Sequence, residues 1–124
     1  MTNMLTADRA AILDALRARE LKADDSQPAS FTPPIVLLNS AEYEPGSSFG
    51  AIQATYELYA VAAPAATVPA SQTRLDALLA KILDALDETR TGDLSRISPP
   101  FNLQTPDGRQ YQAATVTITS EITL

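Results

Sequence analysis

Two stretches of the chain carry apolar residues at helical spacing, and four carry them at strand spacing or in a short unbroken run. Thr6 to Arg19 reads as an amphipathic helix whose stripe is Ile12, Leu13 and Leu16. Thr6 is the expected N-cap, and Asp8 falls in the expected first turn, where a carboxylate meets the positive end of the helix dipole. The stripe is narrow, so this helix should lie on something larger. Glu20 to Pro34 is polar and punctuated by proline, which predicts a loop. Ile35 to Leu38 follows as a continuous apolar run, the pattern of a strand covered on both faces and central in its sheet.

Asn39 to Ser48 contains Glu44-Pro45-Gly46 and predicts a turn, with proline presetting one angle and glycine supplying a positive φ. From Phe49 to Val61 the residues alternate. Ile52, Ala54, Tyr56, Leu58 and Ala60 make one face, and Gln53, Thr55, Glu57, Tyr59 and Val61 the other. The Ala/Pro stretch after Val61 cannot continue a strand and leads to a second helix. That helix, Ser71 to Glu88, has the widest stripe in the chain: Leu75, Leu78, Leu79, Ile82, Leu83 and Leu86. The pattern spans too few heptads for a coiled coil and suits packing across a sheet. Gly92 ends the region.

Arg96 to Thr105 predicts a weaker strand, which Pro99-Pro100 confines to an edge or a bulge. Thr105 to Gly108 predicts a hairpin turn with Gly108 left-handed. The last strand runs from Arg109 to Leu124. It places Ala114, Val116, Ile118, Ile122 and Leu124 opposite Thr115, Thr117, Thr119, Glu121 and Thr123. The expected order is α-β-β-α-β-β: an α+β fold, one domain over residues 1–124, with two helices on one face of a mostly antiparallel sheet.

The two long strands pose a problem of size. A domain of 124 residues has a diameter of roughly 35 Å. Phe49 to Val61 would reach about 43 Å and Arg109 to Leu124 about 53 Å. Either bulges curl them around the core, or their ends project and offer unpaired backbone groups to a neighbour. Projection is the favoured expectation, and with it an oligomer.

Composition then narrows the chemistry. The chain has no Cys, His or Trp, which removes disulfides, thiol nucleophiles, imidazole bases and the commonest zinc ligands. The opening ten residues lack the basic and apolar regions of an export signal, and no apolar run approaches the roughly 20 residues of a membrane span. A net charge of −6 with scattered cations argues against a broad nucleic-acid surface. Arg17, Arg19 and Lys22 are expected to complement the first helix's negative end. The acids Asp24-Asp25, Glu42 and Glu44, and Asp84, Asp87 and Glu88 lack the spacing of a calcium loop. The last group reads as a solvated face partly offset by Lys81. Ser47, Ser48 and Ser71 have no histidine to activate them. Neither an enzyme, a cofactor nor a metal is expected.

"PPIVLLNS", "YEPG", "SFGAIQATYELYAVA", "LDALLAKILDALDE" and "YQAATVTITSEI" together resemble the tail terminator proteins of long-tailed, siphovirus-type phages, in particular those infecting actinobacteria. The resemblance covers the chain from about Ile35 onward and rests on pattern, with no invariant motif. It implies an α+β subunit of a hexameric ring at the head-proximal end of the tail tube. That ring would stop tube polymerisation and join the head. The implied partners are other copies of the chain, the major tail tube protein and the head-tail connector, or neck, protein. Genomic DNA would pass through the lumen without specific binding. The implied location is the virion, after assembly in the host cytoplasm. Six copies would carry a charge of about −36, and an acidic lumen would repel DNA.

The resemblance assigns no individual residues, so the interface expectation comes from the strands: Tyr43, Glu44, Pro45, Phe49, Tyr59, Thr119, Glu121, Ile122 and Leu124. Two other readings stay open. A head-side neck or stopper protein would also form a ring. A ferredoxin-like small-molecule sensing module would have a circularly permuted order of the same elements, although the chain between first helix and first strand lacks the glycine such sites use.

Overall fold

The computed structural model describes residues 4–25, 34–39, 41–46, 50–63, 67–89, 92–104 and 108–123. These form two helices and seven strands in the order α1 (Met4–Arg17), β1 (Ala23–Asp25), β2 (Ile35–Leu38), β3 (Glu42–Pro45), β4 (Ala51–Val61), α2 (Val68–Thr89), β5 (Asp93–Ile97), β6 (Phe101–Gln104) and β7 (Gln110–Thr123). The fold is α+β with one mixed sheet. The expected order lacked β1 and β3 and joined β5 to β6, and the sheet is not wholly antiparallel, because β1 runs parallel to β2.

Long strands and short neighbours explain each other. β4 and β7 pair from Ala51↔Thr123 to Val61↔Ala113 without a slip in register. On its other side β4 carries two short strands end to end, β2 along Leu58–Val61 and β3 along Ile52–Thr55. β7 does the same with β6 along Gln110–Ala113 and β5 along Val116–Thr119. The expectation that both long strands project with bare edges is therefore corrected: they form the sheet's centre, and their length serves to hold two neighbours apiece. No bulge curls the β4–β7 pair; the irregularity falls in β5, between Leu94 and Arg96. Past β5, the outer side of Ser120–Thr123 has no paired strand among the described residues.

The proline pair acts as expected. Pro99 and Pro100 cannot donate to a ladder, so the edge breaks into β5 and β6. Ser98 bridges the break. Its N–H donates to the Thr115 carbonyl at 2.8 Å, and its hydroxyl oxygen accepts from the Thr115 N–H at 2.9 Å.

Alternation separates two faces. Val36 and Leu38 of β2, Ala54, Tyr56, Leu58 and Ala60 of β4, and Ala114, Val116, Ile118 and Ile122 of β7 join both helices in the main core. The α2 stripe supplies Leu75, Leu78, Ile82 and Leu86 to it, each fully buried aliphatic side chain contributing roughly 1.5–3 kcal/mol of transfer free energy. α1 supplies Ile12, Leu13 and Leu16. The opposite face holds a second cluster at one end of the sheet: Ile35, Leu37, Val61, Tyr111 and Ala113, with Tyr59, Phe101 and Leu103 packed against it. Ile35 to Leu38 is thus buried on both faces and lies between β1 and β4, as its unbroken apolar run predicts.

Helix ends differ from expectation. α1 begins before Thr6, which is therefore not its N-cap, and Asp8 lies beyond the first turn. α2 begins within the Ala/Pro stretch, where the Thr67 hydroxyl oxygen accepts the Ala70 N–H at 3.2 Å as an N-cap should. Pro69 is tolerated there because first-turn amides have no helical acceptor. α1 ends with Glu20 at φ 61°, the Glu20 N–H on Arg17 and the Leu21 N–H on Leu16, a left-handed Schellman closure.

Candidate interface at one end of the sheet

β3, the first half of β4, the second half of β7 and the start of β5 meet at the end of the sheet away from the second apolar cluster. Register places their outward side chains in rows on the face opposite the helices. Glu42, Thr55, Thr119 and Asp93 form one row across four strands. Glu44, Gln53 and Glu121 form the next, and Glu57, Thr117 and Arg96 the row on the other side. This half of the face is polar and mainly acidic, with five carboxylates to one guanidinium. Neighbouring strands lie about 4.8 Å apart, so the nearer acids, such as Glu42 with Glu44 or Glu44 with Glu121, fall within about a Debye length (8–10 Å) of one another and their potentials add.

The helix-side face of the same end is apolar. Tyr43 stands opposite Ala54 and Pro45 opposite Ile52, on the side away from Glu42 and Glu44. Tyr43 is 44 % exposed, and every residue of β3 is exposed. Met4, half exposed at the start of α1, borders a shallow groove of about 370 Å³ with Ile122 and Thr123. An exposed aromatic beside aliphatic carbon, at a sheet end whose other face is acidic, has features of a protein contact surface.

Of the residues expected at an interface, Tyr43, Glu44, Pro45, Thr119 and Glu121 are thus brought to one place by strand pairing. Ile122 joins them in sequence only. It is 5 % exposed and packed in the main core opposite Ile52, so it is not presented at a surface. Tyr59 lies elsewhere, in the second cluster: its ring meets Phe101 edge to face at 6.4 Å, and its hydroxyl accepts from Asn39 Nδ2 at 3.2 Å. Phe49 and Leu124 lie outside the described residues, as do Ser47 and Ser48.

β3 was hidden by its chemistry. Four residues with two glutamates and a proline carry little β-propensity, and the only sign of a strand is the Glu-Tyr-Glu alternation. The turn expected there is displaced: Gly46 N–H donates to the Ala51 carbonyl at 2.9 Å and closes β3 onto β4. A Cβ on Gly46 would lie 2.9 Å from the Ala51 Cβ and 3.0 Å from its carbonyl carbon, which is why glycine is needed. β1 was hidden likewise: Ala23-Asp24-Asp25 pairs with β2, and the Arg17 side chain donates twice to the Ala23 carbonyl, at 3.1 and 2.9 Å.

α1 is pinned over this end by charge. Both terminal nitrogens of Arg9 donate to β2 and its exit, to the Asn39 carbonyl at 2.8 Å and the Leu38 carbonyl at 2.9 Å. Tyr56 and Ser120 donate their hydroxyls to the two oxygens of Asp8. Burial first, then the hydrogen bond to Asp8 and that residue's negative charge, push the Tyr56 phenol far above its ordinary pKa. The cations after α1 do more than meet a dipole: Arg19 bridges to α2 through Asp84 at 3.7 Å and through Glu88. Asp84 and Glu88 are therefore partly paired rather than simply solvated.

Among the described residues no group of three or more carboxylates is placed to hold a metal ion, and no helix is long and apolar enough to cross a membrane. No protein-family model matches the chain, and no curated protein matches it significantly.

Proposed function

We propose that this chain is a structural virion protein, the subunit of a ring at the head-proximal end of a long-tailed phage's tail tube. The ring ends tube polymerisation and offers the surface on which the filled head joins. The sequence resemblance supplies the identity, and one structural observation supports it. The strand pairing brings Tyr43, Glu44, Pro45, Thr119 and Glu121 to one end of the sheet, with the exposed Tyr43 on the helix-side face and the acids on the face opposite. An end with an exposed aromatic on one face and a charged surface on the other suits binding.

The partners on this reading are further copies of the chain, six being the number the resemblance implies, then the major tail tube protein and the head-tail connector. The acids of the open face would keep DNA from adhering as it passes, since like charges repel at short range. No cofactor or metal enters the proposal.

A genetic experiment tests it. Cells that make every other virion component but lack this chain should accumulate tail tubes of unregulated length beside filled, tailless heads. Tubes of normal length joined to heads would contradict the proposal. Tubes of normal length left unjoined would assign the chain to the head-side neck instead.

A further inference from the structure

The outer side of β3 is an open place in the sheet. β2 and β3 lie end to end along β4, and β1 runs along the outer side of β2, so the position in line with β1 and beside β3 has no paired strand among the described residues. Parity shows which backbone groups face it. Gly46 N–H donates to the carbonyl of Ala51, the residue directly opposite it in the β3–β4 register, so Gly46, Glu44 and Glu42 turn their backbone groups toward β4. Tyr43 and Pro45 turn theirs outward. Proline is tolerated in β3 for that reason, because its missing N–H would have faced away from β4. The outer edge therefore presents the Tyr43 N–H, the Tyr43 carbonyl and the Pro45 carbonyl.

Side chains decide what can pair there. Glu42 and Glu44 stand on the face opposite the helices and Tyr43 on the helix side, and all are exposed. A second β3 is a poor partner. Antiparallel pairing centred on Tyr43 sets Glu42 of each copy opposite Glu44 of the other, and like charges directly opposite are destabilising. The chain's other described strands offer nothing better: they contain one cation, Arg96, which adjoins the irregularity of β5. The edge is thus defended against its own kind and open to a strand of opposite charge, which gives specificity by repulsion as well as by attraction.

We infer that β3 takes an extended segment of another protein as an added antiparallel strand, with Lys or Arg opposite Glu42 and Glu44 and an apolar residue between them beside Tyr43. That middle residue exchanges both backbone bonds with Tyr43, and the residue two places before it donates its N–H to the Pro45 carbonyl. In a strand addition of this kind main-chain bonds supply affinity and alternate side chains supply selectivity. Here the selectivity comes from two acid–base pairs on one face and an aromatic–aliphatic pair on the other. The inference goes beyond the ring reading and does not rest on it, since the partner strand is not one of the chain's own.

A synthetic peptide, acetyl-Thr-Val-Lys-Val-Lys-Val-Thr-amide, is the probe, titrated into the isotope-labelled full chain and followed by amide NMR. It should shift the amides of Glu42, Tyr43 and Glu44 and slow hydrogen exchange at the Tyr43 N–H. The same peptide with Glu in place of both lysines should bind at least about tenfold more weakly, because two cross-strand pairs change from opposite to like charge. Glu42→Lys with Glu44→Lys, both at exposed positions, should reverse that preference. N-methylation of the middle valine removes the N–H that meets the Tyr43 carbonyl and should abolish binding. N-methylation of both lysines, whose amides point away from β3, should leave binding in place.

Equal binding of the two peptides would overturn the inference, as would a preference that the double variant leaves unchanged. Undiminished binding of the valine-methylated peptide would do the same, by showing attraction of charge alone with no added strand. So would a wild-type protein whose β3 amides stay unshifted up to about 1 mM peptide, since even weak specific binding registers at that concentration. Slowed exchange at the Tyr43 N–H on concentrating the protein alone would assign the edge to a second copy and equally refute it. None of these outcomes involves tail tubes, so the ring reading survives or fails separately.

Discussion

The hydroxyl of Tyr56, a side chain with no exposed surface, donates to Oδ2 of Asp8 at 2.7 Å. Oδ1 of the same carboxylate accepts the Ser120 hydroxyl at 2.9 Å. One acid on α1 therefore holds both central strands, β4 and β7. Removing it orphans two hydroxyls, one of them fully buried, whereas removing either hydroxyl leaves only one oxygen of a half-buried carboxylate without its donor. Asp8→Ala should cost about 2–4 kcal/mol and Tyr56→Phe about 1–2, since hydrogen bonds to charged groups contribute more than neutral ones. Urea denaturation checks the order. A Tyr56→Phe cost at or above that of Asp8→Ala would refute this account of the anchor.

The raised pKa of Tyr56 makes an alkaline prediction. An unfolded tyrosine ionises near pH 10, while the folded protein holds the Tyr56 proton to higher pH because burial and Asp8 both oppose the phenolate. The folded state thus binds the extra proton. The contribution of Tyr56 is fully present below about pH 10 and is lost above it, by up to about 1.4 kcal/mol per pH unit. Tyr56→Phe should lose less stability than the wild type between pH 10 and 11, read as the midpoint of urea unfolding.

Glu20 closes α1 in the left-handed region, at φ 61°. Glycine adopts that conformation without the steric cost of a Cβ. Glu20→Gly should stabilise the protein by about 0.5–1 kcal/mol, partly offset by the freedom glycine adds to the unfolded chain. For a domain of this size that is a Tm rise of about 2–5 °C. An unchanged or lower Tm would mean that the Glu20 side chain makes a favourable contact outweighing the strain.

Gly46 holds β3 against β4 at a distance that no Cβ permits. Gly46→Ala should push β3 off β4 while leaving the β4–β7 pair intact. Amide hydrogen exchange should rise along Glu42–Glu44 and not along Tyr56–Ala60, and association between copies should weaken with it. Faster exchange in both segments would show that β3 and the core open together.

Long-range pairing was the part of the fold that the sequence concealed. The α2 stripe and the Ile35–Leu38 run were legible because their residues are buried by the face that their own period defines. The alternation of β4 gave its two faces correctly, down to Tyr59 and Val61 on the side of the second cluster. β1 and β3 left almost no signal, since Asp24, Asp25, Glu42 and Glu44 are poor strand formers whose strands exist only through their pairing to β2 and β4. The same blindness turned long strands into projecting ones: length was visible, but not the short neighbours that fill their sides. Asp8 was read for its helix, although its partners stand 48 and 112 residues away. Of the residues expected at an interface, those of β3 and the end of β7 come to a common end of the sheet. Ile122 was placed by its own alternation on the face of Val116 and Ile118, in the core, so its expectation as an interface residue ran against its register.

Electron microscopy of negatively stained tail tubes mixed with the purified protein tests the central claim most directly. The account predicts rings seated at one end only of each tube, with no further growth from that end when free tube protein is added. Tubes that bear no ring and continue to grow from both ends in the presence of the protein would contradict it.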